Sequence, residues 1–541
     1  MLSLLIVQGI IVLIGALLYY LFFCGKSELL DLPPGPKPLP FLGNLKDLPP
    51  PGMPEFQHWL SFKNKYGPIS SITVLGKTVV MIHDPEAAVE ILDKNSLKTS
   101  SRPQLMSADM CGYDHMLNSM DYTALFRQHR RLIHHRFGTQ SLVSRYRNVQ
   151  DVESKRFLMR TMKDPQNLLR HIRTEASAIV LKITYGYTVE PFGTDPLVRL
   201  IEDVMANFSH LMIPLAWPVD ISPLLGQLPG WFPGAGFKET AREWRAMTEA
   251  SAYIPYNFVK KQVDADIHQP SFVSELIEAH GKGESLEVDA DVKEIIAWSA
   301  EMVFAGGSDT TVSALMAFVL GMILYPAVQQ KAQEEIDRVV GPDRLPGYQD
   351  QFDLPYVNAL IKEMLRWFPI VPVVTGHKTD AEIWLRGYRI PKGSCICTNT
   401  WWFSHDPERY PDPMVLNPDR FLEPRNEPDP VGIFGYGRRA CPGRLLAHEH
   451  LFITMSRILA AFTISNAVDG DGKPIEVRVG HVPGLIDHPQ EFSYSMVPRN
   501  EKYADMIRRL ELEHPWEQGS AESLEWDTLD KYKKEWKREA E

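Results

Sequence analysis

Phe434-Gly435-Tyr436-Gly437-Arg438-Arg439-Ala440-Cys441-Pro442-Gly443 is the stretch that decides how this chain is read. It sets one cysteine in a glycine-rich turn, behind two arginines and ahead of an apolar run of helical spacing, Arg444 to Phe462. The first N–H groups of such a helix point near the sulfur and favour the thiolate, which is the metal-binding form. Gly435 and Gly437 permit a tight turn, and Gly443 lets the backbone approach something flat. Phe434 can shield one side of the sulfur, and Arg439 offers a cation to an anionic group. The competing reading is a structural cysteine at a helix start.

Outward from that loop, composition sets bounds. The 541 residues are 44% apolar and 23% charged, which is ordinary globular chemistry. The balance of 57 basic against 68 acidic residues, formally −11, argues against nucleic acid, because phosphate binding wants a basic face. The five cysteines (Cys24, Cys111, Cys395, Cys397, Cys441) form no short-spaced framework and read as reduced thiols in a cytosol-facing protein. Cys395 and Cys397 form a candidate metal pair, but residues two apart also share one face of a strand.

Met1 to Gly25 contains no charged side chain and is long enough to span a bilayer as a helix. Tyr19, Tyr20, Phe22 and Phe23 suit the interfacial belt. A cleaved signal peptide is the alternative, but it wants a basic start and a small-residue cleavage site, and this segment has a bulky aromatic end. Leu32 to Pro40 carries five prolines and reads as a stiff, extended spacer. Beyond Glu501 the chain is highly charged, with Trp516, Trp526 and Trp536, and reads as a partly helical appendage.

Between the ends, Ile69 to Val74 and Thr78 to Ile82 flank Gly76-Lys77 and predict a hairpin. Helix-period runs follow at Thr174–Tyr185, Val292–Leu324, Ala327–Val340 and Tyr356–Trp367. Ile383 to Cys397 returns to short strands, with turns at Gly387 and at Pro391-Lys392-Gly393.

The cysteine stretch resembles the haem-binding loop of cytochrome P450, Phe-x-x-Gly-x-Arg-x-Cys-x-Gly, at every fixed position. The resemblance implies that Cys441 is the proximal thiolate ligand of the iron in haem b, with Phe434, Arg439 and Gly443 also at the cofactor. It implies a mostly α (α+β) helical prism with small β-sheets, preceded by one transmembrane helix. The expected organisation is an anchor at 1–25, a proline-rich hinge at 26–48, a haem-thiolate catalytic domain at 49–500 and a charged extension at 501–541.

Three further constellations match the family. Glu363-Met364-Leu365-Arg366 puts an acid and an arginine on one helix face. With Arg420, the family pattern makes them a buried network that fixes the cysteine loop. Ala305-Gly306-Gly307-Ser308-Asp309-Thr310-Thr311 interrupts a long helix with two glycines, costing about 1 kcal/mol each. That cost points to close backbone approach or a local distortion. Asp309 and Thr310 match the family's acid–alcohol pair, which supplies protons for oxygen activation. The structural alternative is that Asp309 caps a broken helix while Thr310 bonds back to its own turn. Finally, Phe126-Arg127-Gln128-His129-Arg130 stands where the family has Trp-x-x-x-Arg at a haem propionate. The tryptophan is replaced, and Arg130 keeps the cation. Arg127, Arg131 and His134 read as a solvated face and part of an electron-donor docking surface. His377 follows Gly376 where the family often shows Pro-His, and is expected at a propionate.

Ile213 to Phe237 is rich in Pro, Trp, Leu and Gly, an apolar loop that needs a partner. In microsomal relatives that loop dips into the bilayer. The resemblance therefore implies a monooxygenase on the cytosolic face of the endoplasmic reticulum membrane, single-pass, acting on a lipophilic small molecule. Electrons come from NADPH through a separate NADPH–cytochrome P450 reductase, since no dinucleotide fingerprint is present. The style resembles fungal enzymes of polyketide and terpenoid secondary metabolism. Two other functions compete: a haem-thiolate isomerase or dehydratase that does not use O2, and a non-enzymatic haem-binding membrane protein. The intact Asp309-Thr310 pair argues against the first.

Overall fold

The computed structural model describes residues 31–50, 52–213, 216–283 and 286–526, with Gly15, Leu529 and Lys534. The expected membrane anchor therefore lies outside the described residues, Gly15 aside. The described chain is mostly helical with small sheets, as the sequence implies, and divides into two compact units.

The first unit comprises the chain up to Pro103 with Val373–Phe403 and Tyr436–Arg439. The predicted hairpin is β1 (Ile69–Val74) against β2 (Lys77–Ile82), antiparallel, with Val74 opposite Lys77. Its turn falls one residue earlier than predicted, on Leu75 and Gly76, which take φ of 48° and 80°. Two successive positive φ values suit the right-handed twist of a two-residue hairpin. The sheet continues to β3 (Val373–Lys378) through β6 (Cys395–Asn399), in the order β1-β2-β6-β3. The short strands β4 (Ile383–Leu385) and β5 (Tyr388–Ile390) pair with each other alone. Ile72 and Met81 bury one sheet face against Trp59 and Phe62 of helix α1 (Glu55–Tyr66).

Cys395 and Cys397 do share one strand face, with their sulfurs 3.8 Å apart. Opposite them, the β3–β6 register slips between Val374 and His377. Gly376 lies in that bulge, where a Cβ would come 2.3 Å from Cys395 Sγ. Glycine replaces the family's usual residue there because the bulge presses the backbone against a sulfur.

The second unit comprises Gln104–Pro372, Ser404–Gly435 and the chain from Ala440 onward. Its main helices are α2 (Ala124–Phe137), α3 (Arg147–Lys163), α4 (Leu168–Tyr185), α5 (Pro196–Leu211), α6 (Phe237–Asp264), α7 (Ala290–Leu324), α8 (Pro326–Val339), α9 (Pro355–Trp367), α10 (Arg444–Ala461) and α11 (Glu501–Glu513). Helix α7 runs about 50 Å at 1.5 Å per residue and is apolar all round, the pattern of a helix surrounded by others. Its first half joins a core with α4, α5 and α6, and its second half joins another with α3, α8, α9 and α10. It is also the one described helix long and apolar enough to cross a membrane, but 78% of its most apolar window is buried in protein.

The charged C-terminal segment departs from its expected role as an appendage. Asn500 caps α11, its side chain accepting from the Tyr503 N–H at 3.2 Å. Tyr503, Ile507 and Leu510 then repeat at helical spacing and join the second core, while Leu524 and Trp526 are buried in the first.

Candidate functional site

The cysteine loop is folded largely by its own backbone. Cys441 N–H donates to the Phe434 carbonyl at 2.7 Å, and Gly435 N–H donates to Gly432 at 2.9 Å. Gly435 and Gly437 take φ of 74° and 49°. The Phe434 ring packs against the second core. Helix α10 begins at Arg444, directly after Gly443. Burial raises the pKa of the half-buried Cys441 thiol, while the Gly443 amide and the Arg130 and Arg444 guanidiniums pull the other way. In the metal-free protein burial prevails; a coordinated metal ion reverses that, because it deprotonates a thiol outright.

Arg130 reaches this sulfur from α2, on a stripe with buried Phe126, His129, Ile133 and Phe137. Its guanidinium is half-buried and has no hydrogen bond or ion pair among the described residues. Arg127, Arg131 and His134 on the same helix face solvent. Buried cations are normally paired, so Arg130 is fitted to an anion that the chain does not supply.

Glu363, Arg366 and Arg420 form the expected network, and all three are fully buried. Arg366 grips Glu363 with bonds of 2.7 and 2.8 Å, and Arg420 Nε donates to Glu363 Oε1 at 3.0 Å. The remaining guanidinium groups donate to the carbonyls of Ser404, Pro413, Pro411 and Val415. Nearly every lone pair and proton is used, the condition under which buried ions are tolerated.

Asp309 and Thr310 sit on α7, which stays helical through both glycines. Of the two readings of the glycines, close approach or local distortion, the helix shows no distortion. Gly307 is there for packing, since a Cβ would lie 2.5 Å from Cγ2 of Val180 on α4. Thr310 does bond back to its own turn, its hydroxyl donating to Gly306 at 2.8 Å. That leaves the hydroxyl oxygen available as an acceptor. Asp309 caps nothing; its Oδ1 lies 3.1 Å from His488 Nε2.

In the first unit, His377 is 1% exposed. Its Nδ1–H donates to the Thr99 carbonyl at 2.7 Å, and its Nε2 is buried with no partner. Burial, with Arg102 and then Arg439 nearby, holds this imidazole well below its usual pKa and therefore neutral. Arg439 Nε donates to the Ser100 carbonyl at 2.6 Å. Arg102 was not singled out in the sequence, where it is one arginine before a proline; only the fold buries it beside His377, donating to Gly376 at 3.0 Å. Burial lowers its pKa to about 10.

Haem b fits these residues. The second unit by itself offers a sulfur with converging amides and, among the described residues, a cation without a partner. These are donors for an iron and for carboxylates.

Comparison with known proteins agrees. The Cytochrome P450 family model matches residues 33–496. Cytochrome P450 monooxygenase CLM2 of Gibberella zeae is 47% identical over 96% of this chain and 99% of its own length. Multifunctional cytochrome P450 monooxygenase af510 of Aspergillus fumigatus is 45% identical over 92% of this chain and 94% of its own. O-methylsterigmatocystin oxidoreductase of Aspergillus flavus is 37% identical over 96% and 98%. A zebra fish cytochrome P450 solved with abiraterone superposes with a TM-score of 0.64 at 21% identity, covering 83% of this chain and all of that one.

Proposed function

The chain belongs to the cytochrome P450 family, and on that premise we propose that Cys441 ligates the haem of a monooxygenase that inserts one atom of O2 into a small lipophilic molecule. Bound haem b supplies oxygen chemistry, with a thiolate pushing electron density toward the iron and electrons arriving from NADPH through a separate reductase. The observation that carries the reading is the Cys441 sulfur set under the amides of Gly443 and Arg444 with Arg130 alongside.

The chain's own residues do the rest. Arg130 pairs with one carboxylate of the cofactor. In the first unit, His377, whose Nε2 has no partner, would meet a carboxylate of the group, with Arg102 and Arg439 supplying cations. Phe434 and Gly443 line the loop that the flat group meets. Thr310, its proton committed to Gly306, accepts from a water and holds it near the reacting centre. Asp309, about a quarter exposed, passes protons inward from solvent.

The substrate is lipophilic, of the polyketide or terpenoid kind made in fungal secondary metabolism. Support comes from the fungal relatives, one named for O-methylsterigmatocystin. The protein is anchored by Met1–Gly25 in the endoplasmic reticulum membrane with the catalytic domain in the cytosol. Support comes from the apolar loop, where Trp231 is 82% and Leu224 70% exposed. Exposed Arg127, Arg131 and His134 give an NADPH–cytochrome P450 reductase a basic docking face.

The test is the carbon monoxide difference spectrum of the reduced protein, with Cys441→Ala as the variant. Wild type is expected to give the thiolate-type band and the variant to lose it. Retention of the band in the variant would remove Cys441 as ligand.

A further inference from the structure

The partner of Asp309 comes from an element that carried no signal in the sequence. Strands β7 (His481–Val482) and β8 (His488–Pro489) make a two-stranded hairpin. It is pinned to α7: the Ser313 hydroxyl, one turn beyond Asp309 on the same face, donates to the Asp487 carbonyl. A second pin is the Asp487 N–H, which donates to the Ile370 carbonyl at 2.9 Å. The neighbouring His481 ring stacks on Phe368 at 5.1 Å between centroids. His488, the next residue after a doubly held one, is therefore fixed with Nε2 at 3.1 Å from Asp309 Oδ1. It is 27% exposed, so one side of the ring meets water while the other meets the carboxylate.

Asp487 lies close enough for the His488 charge to be felt, and is itself held by His481 Nδ1 at 2.6 Å. From α5, Glu202 feels the charge of Asp309; it is flanked by Arg173 of α4 at 3.6 Å and Arg199 at 3.7 Å, with Asp203 beside it. Two carboxylates, Asp487 and Glu202, thus lie within electrostatic range of the Asp309–His488 pair, and two arginines engage Glu202.

We propose that His488 is the solvent-side proton donor to Asp309, a positioning and relay residue that sets how fast protons reach Thr310. The proposal rests on the reading of Asp309 and Thr310 as the proton-delivering pair. The step is proton transfer alone. The Nε2–H bond of the imidazolium breaks as an O–H bond forms on Asp309 Oδ1, and the ring is left neutral with its Nδ1–H. Once Asp309 has passed its proton inward, water protonates Nε2 again and restores the imidazolium. No oxidant or reductant is involved.

The experiment uses the full-length haem-loaded protein with a reductase and NADPH, without added substrate. It measures hydrogen peroxide released per NADPH consumed between pH 6 and 8.5, in H2O and D2O. The variants are Asp309→Asn, His488→Gln and His488→Phe, with reduced carbon monoxide spectra as the check that haem is held. Glutamine keeps an N–H to hold Asp309 but cannot relay a proton; phenylalanine does neither.

Both His488 variants are expected to raise the peroxide share on the order of tenfold, inside the range a lost general acid allows. They are also expected to enlarge the solvent isotope effect and to flatten the pH profile, and Asp309→Asn combined with His488→Gln should be no worse than Asp309→Asn alone. If His488→Gln matches wild type while His488→Phe does not, the histidine only positions Asp309 and the relay is overturned. If Asp309→Asn uncouples and neither His488 variant does, the inference fails and the reading of the pair stands. If Asp309→Asn also changes nothing, that reading fails as well.

Discussion

Glu301, two turns before Asp309 on α7, gives a sharp test of the core's electrostatics. It is fully buried, and neither carboxylate oxygen has a hydrogen-bond partner. Ser251 stands near enough to relieve part of the cost, yet its hydroxyl donates to the Thr248 carbonyl. Burial pushes the Glu301 pKa from an ordinary 4.5 up to about 8. A group whose pKa is raised on folding contributes stability that is full below the unfolded value and is lost as pH rises through the folded one. From pH 6 to 9 the unfolded carboxylate stays ionised while the folded one must give up its proton. Integrating over that window gives a loss of about 2–3 kcal/mol. For a chain of this size unfolding entropy is about 1 kcal/mol per degree, so the loss is about 2 °C in Tm. Glu301→Gln removes the titration and keeps the shape. Thermal melts of haem-loaded wild type and variant at pH 6, 7, 8 and 9 should draw apart mainly between pH 6 and 8 and level off by pH 9, the variant melting higher. Parallel curves would mean that Glu301 is ionised in the fold with partners supplied by water, and the burial argument would be wrong.

Three other outcomes follow from the same structure. Arg420→Leu leaves Glu363 short of a buried partner and should destabilise by about 3–5 kcal/mol, read as a lower yield of haem-loaded protein and a lower melt; an unchanged melt would show the network to be dispensable. Gly307→Ala drives a methyl into Val180 and should cost about 1–3 kcal/mol, with Val180→Ala added to it restoring most of the loss; if the second change restores nothing, the contact is not the reason for the glycine. Deleting Met1 to Gly25 should release much of the protein from membranes while the haem spectrum survives, and full release of the intact protein by alkaline carbonate would sink the spanning-helix reading.

The elements that the sequence foretold best were those with strong periods. The runs ending at Tyr185, Leu324 and Trp367 are helices ending at those residues, and the hairpin strand Ile69–Val74 is placed to the residue. Their apolar spacing encodes one local geometry whatever surrounds it. The cysteine loop was equally legible, because its glycines, arginine and sulfur lie within ten residues. Arg102 and His488 were not. Each acts through a neighbour far away in sequence, Arg102 beside His377 and His488 against Asp309, and no local pattern records such a pairing. The double glycine was legible as a cost but not as a cause. Sequence offered ligand approach or distortion, whereas the reason at Gly307 is a valine on α4. The packing of the C-terminal helix is hard to read for a related reason: charge on the outer face of α11 masks the stripe of Tyr503, Ile507 and Leu510 that buries it.

These long-range pairings also explain why the site tolerates its departures from the family pattern. Where the family has a tryptophan ahead of Arg130, this chain has Phe126, 2% exposed, so an indole donor is replaced by apolar packing. A lost donor matters less when the cation it accompanied has no rival anion, and Arg130 has none among the described residues. Where the family often has proline before the histidine, Gly376 lets β3 bulge against Cys395 and still delivers His377 to Thr99 with Nε2 free. In each case the group proposed to meet the cofactor is held by contacts within its own unit: Arg130 by the stripe of α2, and His377 by a carbonyl and the sheet. The residues that changed are those whose task was packing or backbone direction, which other side chains can take over. The residues that stayed are those whose charge or lone pair nothing else among the described residues supplies.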